Sequence, residues 1–239
     1  MKLDILAIGV HPDDVELSCS GTLLRHIAQG KKVGLLDLTR GELGTRGSAE
    51  IRDREAANSA KLMGVLVRDN LAMADGFFQN DKAHQLQIIK ILRKYQPEIV
   101  LANALNDRHP DHGRAAKLTH DACFLSGLVK IPTYDDDGQL QDRWRPKAVY
   151  HYIQDYDLKP DIVIDITPFM EKKLELIQAF ESQFYNPKSK EPESPISSKA
   201  FLESVIAKNR GFGRPSGTEF AEGFNVARPV VVGSLFDLT

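Results

Sequence analysis

Two short stretches concentrate the residues that could do chemistry, "HPDD" at 11–14 and "NDRHPDHG" at 106–113. His11 with Asp13 or Asp14, and His109, Asp111 and His112, supply imidazoles and carboxylates. Two histidines and one carboxylate suit a zinc ion with three protein ligands and an open position for water. Such a set leaves at least one carboxylate and one histidine uncoordinated. Zinc lowers the pKa of its bound water towards about 7, and a neighbouring carboxylate can take the remaining proton. A free histidine, held protonated by a carboxylate such as Asp111, could stabilise an oxyanion or protonate a leaving amine. The inventory matches metal-assisted hydrolysis of an amide. The residues alone leave open which of Asp13 and Asp14 would bind the metal.

Either stretch by itself also reads as an ordinary turn, because Pro and Asp favour turns for backbone reasons. Their meaning comes from the elements that position them. "LDILAIGV" is near-continuously apolar, as a strand buried on both faces should be. A helix from about Val15 to Gln29 follows, with Gly30 where a left-handed cap would fall. "KVGLLDLT" is a second strand, and Ser48 is placed to N-cap the helix "AEIRDREAANSAKLM", which stops at Gly64. A third strand near "NLAMA" precedes Asn80, a candidate N-cap for "DKAHQLQIIKILRKY", and Pro97 marks the exit. "EIVLANA" is the fourth strand and "GRAAKLTHDACFLSGL" its helix. "KAVYHYI" and "DIVIDIT" are further strands, before a helix from Pro168 with Thr167 as N-cap. The segment 185–198, rich in Pro, Ser and charge, reads as a surface loop.

This alternation predicts an α/β fold, a Rossmann-like doubly wound and mostly parallel sheet with helices on both faces. It predicts one domain over 1–239 with a decorated C-terminal third. With strand order 3-2-1-4, strands one and four lie side by side and the chain leaves them in opposite directions. The two His/Asp stretches then face each other across the crevice where ligands bind.

Other features narrow the function. His26, His84, His120 and His151 sit in helix or strand patterns without carboxylates at ligand spacing, so they read as surface or satisfied core groups. "GELGTRGS" lacks the ending of a P-loop, no G-x-G-x-x-G follows strand one, and no G-x-S-x-G elbow occurs. The two cysteines, Cys19 and Cys123, lie in apolar helical patterns and read as buried thiols in a reducing compartment. A net charge of −2 gives no reason to expect nucleic acid. No apolar run approaches the roughly 20 residues that span a bilayer, and "MKLDILAIGV" reads as a strand, not a signal peptide. The expectation is a cytoplasmic protein acting on a small molecule, with no membrane partner.

"HPDD" after the first strand, "HPDH" after the fourth, "TRGSAEIRDREAANSAKLMG" between them and "GTEFAEGF" near the end resemble the PIG-L or LmbE-like zinc deacetylases. The longer similarity is to the branch that deacetylates N-acetylglucosaminyl malate in bacillithiol biosynthesis. Another N-acetylglucosamine conjugate or a chitooligosaccharide is the alternative substrate. The resemblance implies His11, Asp14 and His112 as zinc ligands and Asp13 as general base. It implies His109 as the charged partner of the tetrahedral intermediate or the amine, with Asp111 holding it. Arg52 and Asp75 fall where relatives contact sugar hydroxyls. For Arg52 the competing expectation is a helix-surface pair with Glu55 at i+3, and for Asp75 a simple turn. A malate aglycone would call for arginine, and Arg108, Arg40 and Arg46 are the candidates. Fe2+ or Co2+ would fit the same ligands. The resemblance also implies a homo-oligomer, a hexamer or another number.

Overall fold

In the computed structural model, which describes residues 1–238, seven strands form one sheet in the order β3-β2-β1-β4-β5-β7-β6. β1 (Ile5–Gly9) pairs in parallel with β2 (Val33–Thr39) and β4 (Ile99–Ala102). β3 (Val67–Met73) extends the parallel set on one side and β5 (Ala148–Tyr152) on the other. The predicted 3-2-1-4 order is therefore present. Beyond it, β7 (Ala221–Val226) runs antiparallel between β5 and β6 (Ile162–Asp165).

Strand alternation sends β1 side chains to two cores. Leu6, Ile8 and Val10 pack on one face with Leu36, Ile88, Leu92 and Leu118. Ile5 and Ala7 pack on the other with Val15, Leu23, Leu35 and Leu176. Helices α4 (Lys82–Tyr95) and α5 (Pro110–Leu125) supply the first face, and α2 (Ser20–Ala28) with α6 (Met170–Gln178) the second. The chain thus leaves β1 towards one face and β4 towards the other, which opens the crevice at their carboxyl ends.

Several boundaries differ from the sequence expectations for local reasons. The helix expected over Val15–Gln29 is two, α1 (Asp14–Ser18) and α2, broken at Cys19, where φ is −143°. α3 (Ala49–Met63) begins at the Ser48 cap, whose hydroxyl accepts from Ile51 N at 3.3 Å, and ends at left-handed Gly64, both as expected. The cap of α4 is Asp81, not Asn80, its carboxylate accepting from His84 N at 3.0 Å. α5 starts at Pro110 rather than Gly113, so "HPDH" is the first turn of a helix. A short 3-10 turn over Thr167–Phe169 precedes α6. The last helix, α7 (Lys199–Gly213), and β7 lie outside the sequence expectations.

Candidate active site

The site collects at the carboxyl ends of the parallel strands. Gly9 closes β1 where a Cβ would stand 3.1 Å from the Asp14 side chain, so the chain can fold "HPDD" tightly back over the strand end. Asp14 lies at its centre, buried. Its Oδ2 accepts from the amides of Val10 (2.9 Å) and His11 (3.1 Å) and from Asn103 Nδ2 (2.9 Å), and its Oδ1 accepts from Gln154 Nε2 (3.2 Å). Burial alone would raise this acid, but the charges and hydrogen bonds of His112 and His11 hold it well below the usual carboxylate range.

Two imidazoles converge on Asp14. His11 Nδ1 is 3.8 Å from Asp14 Oδ2, and His112 Nε2 is 3.2 Å from Asp14 Oδ1. Each uses its second nitrogen on an outer carboxylate: His11 Nε2 on Asp75 at 3.0 Å, and His112 Nδ1 on Asp107 at 2.5 Å. Against burial, Asp14 and Asp75 push His11 up to about 10, and Asp14 and Asp107 push His112 up to about 9. Ligand atoms of His11, Asp14 and His112 lie within 4.8 Å of one another. Carboxylate–histidine pairs around such a trio are the usual support of a metal site, so the donor set fits a divalent ion. A second trio, His11, His109 and Asp111, is equally compact. There, however, the Asp111 carboxylate is already committed to Arg114 NH1 (2.7 Å) and Gly76 N (2.8 Å).

Asp13 points elsewhere. Its Oδ2 accepts from Arg52 NH2 at 2.7 Å, and the same nitrogen donates to Pro12 O at 3.1 Å. Gly41, at φ +64°, makes room: a Cβ there would meet the Arg52 guanidinium at 2.6 Å. Burial pushes Asp13 up to about 6 in spite of that arginine, near the range suited to a general base. His109 caps α5, its Nδ1 accepting from Asp111 N at 3.3 Å. Its ring centroid is 4.8 Å from that of His11 and 5.2 Å from that of His112. Burial and the charges of those two rings push His109 down, so it gives up a proton readily.

The structure corrects two expectations at the site. Arg52 is buried against Asp13, not a surface partner of Glu55, which instead accepts from Ser182 N and Oγ at 2.7 Å each. Asp111 meets His109 through its backbone amide, not its carboxylate. Asp75 lines the cleft, braces His11 and accepts from Leu43 N (3.0 Å). The loop 185–198 contributes Ser194, Pro195 and Ile196 to the cleft lining. Arg108 sits on the cleft rim, its Nε 2.7 Å from Asp155. Of the other histidines, His151 is bonded to Asn103 O at 2.9 Å and His26 to Thr22 O at 2.8 Å, while His84, expected to lack a carboxylate, pairs with Asp81 Oδ1 at 2.8 Å on the surface of α4.

Sequence reasoning missed Asp107, Asn103 and Gln154. Asp107 lies inside the quoted second stretch, just before its two histidines, His109 and His112. Asn103 and Gln154 follow the ends of β4 and β5, so extending the strand order by one strand would have singled out both.

A family profile described as PIG-L, GlcNAc-PI de-N-acetylase, matches residues 6–123. The diacetylchitobiose deacetylase of Thermococcus kodakarensis is 30% identical over 92% of this chain and 81% of its own length. The chain belongs to the PIG-L family. The fold agrees: this PIG-L protein matches the crystal structure of the conserved protein TT1542 from Thermus thermophilus with a TM-score of 0.85. Identity is 33%, covering 96% of this chain and 97% of that one. A Bacillus anthracis protein named "Probable N-acetyl-alpha-D-glucosaminyl L-malate deacetylase 2" is 22% identical over 75% of this chain and 81% of its own length. This relative is thus less similar to the chain than the chitobiose enzyme is. Among the described residues of this PIG-L chain, no helix is long and apolar enough to cross a membrane.

Proposed function

We propose that the protein is a metal-dependent N-deacetylase that hydrolyses the acetamide of an N-acetylglucosaminide to acetate and the free amine. The observation that carries the reading is Asp14 set between two imidazoles, each braced by its own outer carboxylate, beside a buried Asp13 held by Arg52. His11, Asp14 and His112 would hold the ion, zinc first, with Fe2+ or Co2+ suited to the same donors. When bound, it supplies a Lewis acid for the acetamide carbonyl and a more acidic water. Asp13 accepts the proton of the attacking water, with Arg52 fixing its carboxylate towards the cleft. His109, across the site, donates its Nε2–H to the oxygen of the tetrahedral carbon, and the proton taken up by Asp13 passes on to the departing nitrogen. Water is consumed, the C–N bond breaks, and acetate and amine leave.

Residues lining the cleft run from His11 to Gly223, which supports treating 1–239 as one catalytic domain. The malate conjugate and a chitooligosaccharide-type conjugate are the two aglycone classes the resemblance and the relatives bring forward. A homo-oligomer, a hexamer or another number, comes with the same reading. The free, buried Cys19 and Cys123 support a reducing cytoplasm.

The test is acetate release from N-acetylglucosamine conjugates. Activity should vanish on chelation and return with added zinc, and Asp13→Ala should lower kcat by at least about a hundredfold. Full activity in chelator, or in Asp13→Ala, overturns the mechanism.

A further inference from the structure

Lys208, on α7, reaches the loop 154–157 that follows β5. Its Nζ donates to the carbonyls of Gln154 (2.7 Å), Asp155 and Tyr156 (3.4 Å). An ammonium has three protons, so one lysine matches three successive carbonyls. The Asp157 carboxylate lies 3.3 Å away but is 92% exposed, which makes it the weaker partner.

The opposite edge of this loop faces the metal-binding motif. The amides of Asp155 and Tyr156 both donate to Asp107 Oδ1, at 2.9 and 2.8 Å. The other oxygen of Asp107 bonds His112 Nδ1. The two edges are parts of the same rigid units. Gln154 C=O and Asp155 N–H belong to one peptide plane, and Asp155 C=O and Tyr156 N–H to the next. In a planar trans peptide, as both are, the C=O and the N–H point in opposite directions. Whatever fixes the carbonyls therefore aims the amides, and a donor on each carbonyl also polarises its amide towards an anion. The Gln154 side chain is anchored separately, its Oε1 accepting from Asn103 Nδ2 and Ala104 N at 3.1 Å each. The effect of Lys208 thus falls on Asp107.

We infer that Lys208 is a positioning residue of the metal site. It grips two peptide planes by their carbonyls, turns their amides onto Asp107, and so sets the carboxylate that orients His112. This rests on the metal-dependent reading and names a residue 96 positions beyond the ligand it serves.

The experiment measures zinc affinity by competition with a chromophoric chelator, alongside kcat and KM for acetate release and the urea midpoint of the zinc-free protein. Lys208→Met keeps the aliphatic stem and removes the ammonium. It should weaken zinc binding roughly three- to tenfold, less than removal of a carboxylate that touches the imidazole directly, and leave KM within about twofold. Lys208→Arg keeps the charge without the three-way geometry and should also weaken zinc, by roughly twofold or more, so it carries the test if Lys208→Met does not fold. In the Asp107→Asn background, Lys208→Met should cost no further zinc affinity, because the lysine acts through that carboxylate. A lysine that only pins α7 would lower the urea midpoint and leave zinc affinity unchanged, which overturns the inference. A raised KM with unchanged zinc affinity would make Lys208 a substrate contact and overturns it too, as does a full additional loss in the double variant. A natural chain that binds no zinc or other divalent ion overturns the metal-dependent reading as well.

Discussion

Asp13 and Asp14 are adjacent in sequence and opposite in surroundings. Asp14 receives four hydrogen bonds from Val10, His11, Asn103 and Gln154 and faces two imidazoles, whereas Asp13 faces a single guanidinium. The residues alone could not divide the two roles, because that division rests on partners 39 to 140 positions away in the chain. His11, the Asp13–Asp14 pair, His109 and His112 were legible as candidates because each stands at a strand end or a helix start with a recognisable pattern. The bracing carboxylates were not, since no short-range rule links His11 to Asp75. If those carboxylates orient the imidazoles, removing them should loosen the metal before it alters the chemistry. Asp75→Asn and Asp107→Asn are each expected to weaken zinc affinity by about 10- to 100-fold. Competition against a chromophoric chelator reads this directly, and unchanged affinity in both variants would assign the two acids to another task.

At the scale of elements, most of the parallel half was readable, since β1, β2 and β4 are nearly continuous apolar runs and α3 carries both a serine cap and a left-handed glycine. The C-terminal part was not. β7, "AEGFNV", mixes a glycine with polar residues and shows no clean alternation, and its strand character comes from pairing with β5 and β6. The seam between β4 and β5 makes a pH prediction. His151 on β5 is buried and bonded to Asn103 O, and burial pushes it below the ordinary histidine value. The unfolded chain therefore takes up a proton below about pH 6.5 that the fold refuses. Its contribution to stability is complete above that pH and is lost as the pH falls through the lowered value. Urea midpoints between pH 7 and pH 5 should drop more steeply for the natural chain than for His151→Gln. Equal slopes would show that another group carries the acid sensitivity.

Across the whole molecule, the C-terminal third is joined to the catalytic motif through charge buried in the core. Glu222, on β7, accepts from Gly21 N (3.0 Å) and Thr22 N (2.7 Å) in the first turn of α2, and from Lys173 Nζ of α6 (2.5 Å). Lys173 also donates to Leu17 O at 2.7 Å, in the helix that Asp14 begins. Both side chains are almost wholly buried, at 0% and 1% exposure. Taking two charges out of water is repaid only while both are present, so removing one should cost about 3–5 kcal/mol. Lys173→Met leaves Glu222 charged without its cation and should show the full loss in urea unfolding. Lys173→Met with Glu222→Gln leaves no uncompensated charge and should recover a large part of it. A double variant as unstable as the sum of the two single ones would mean that the ion pair itself does not couple β7 to α1 and α2. The position of Asp14 would then depend on the parallel strands alone.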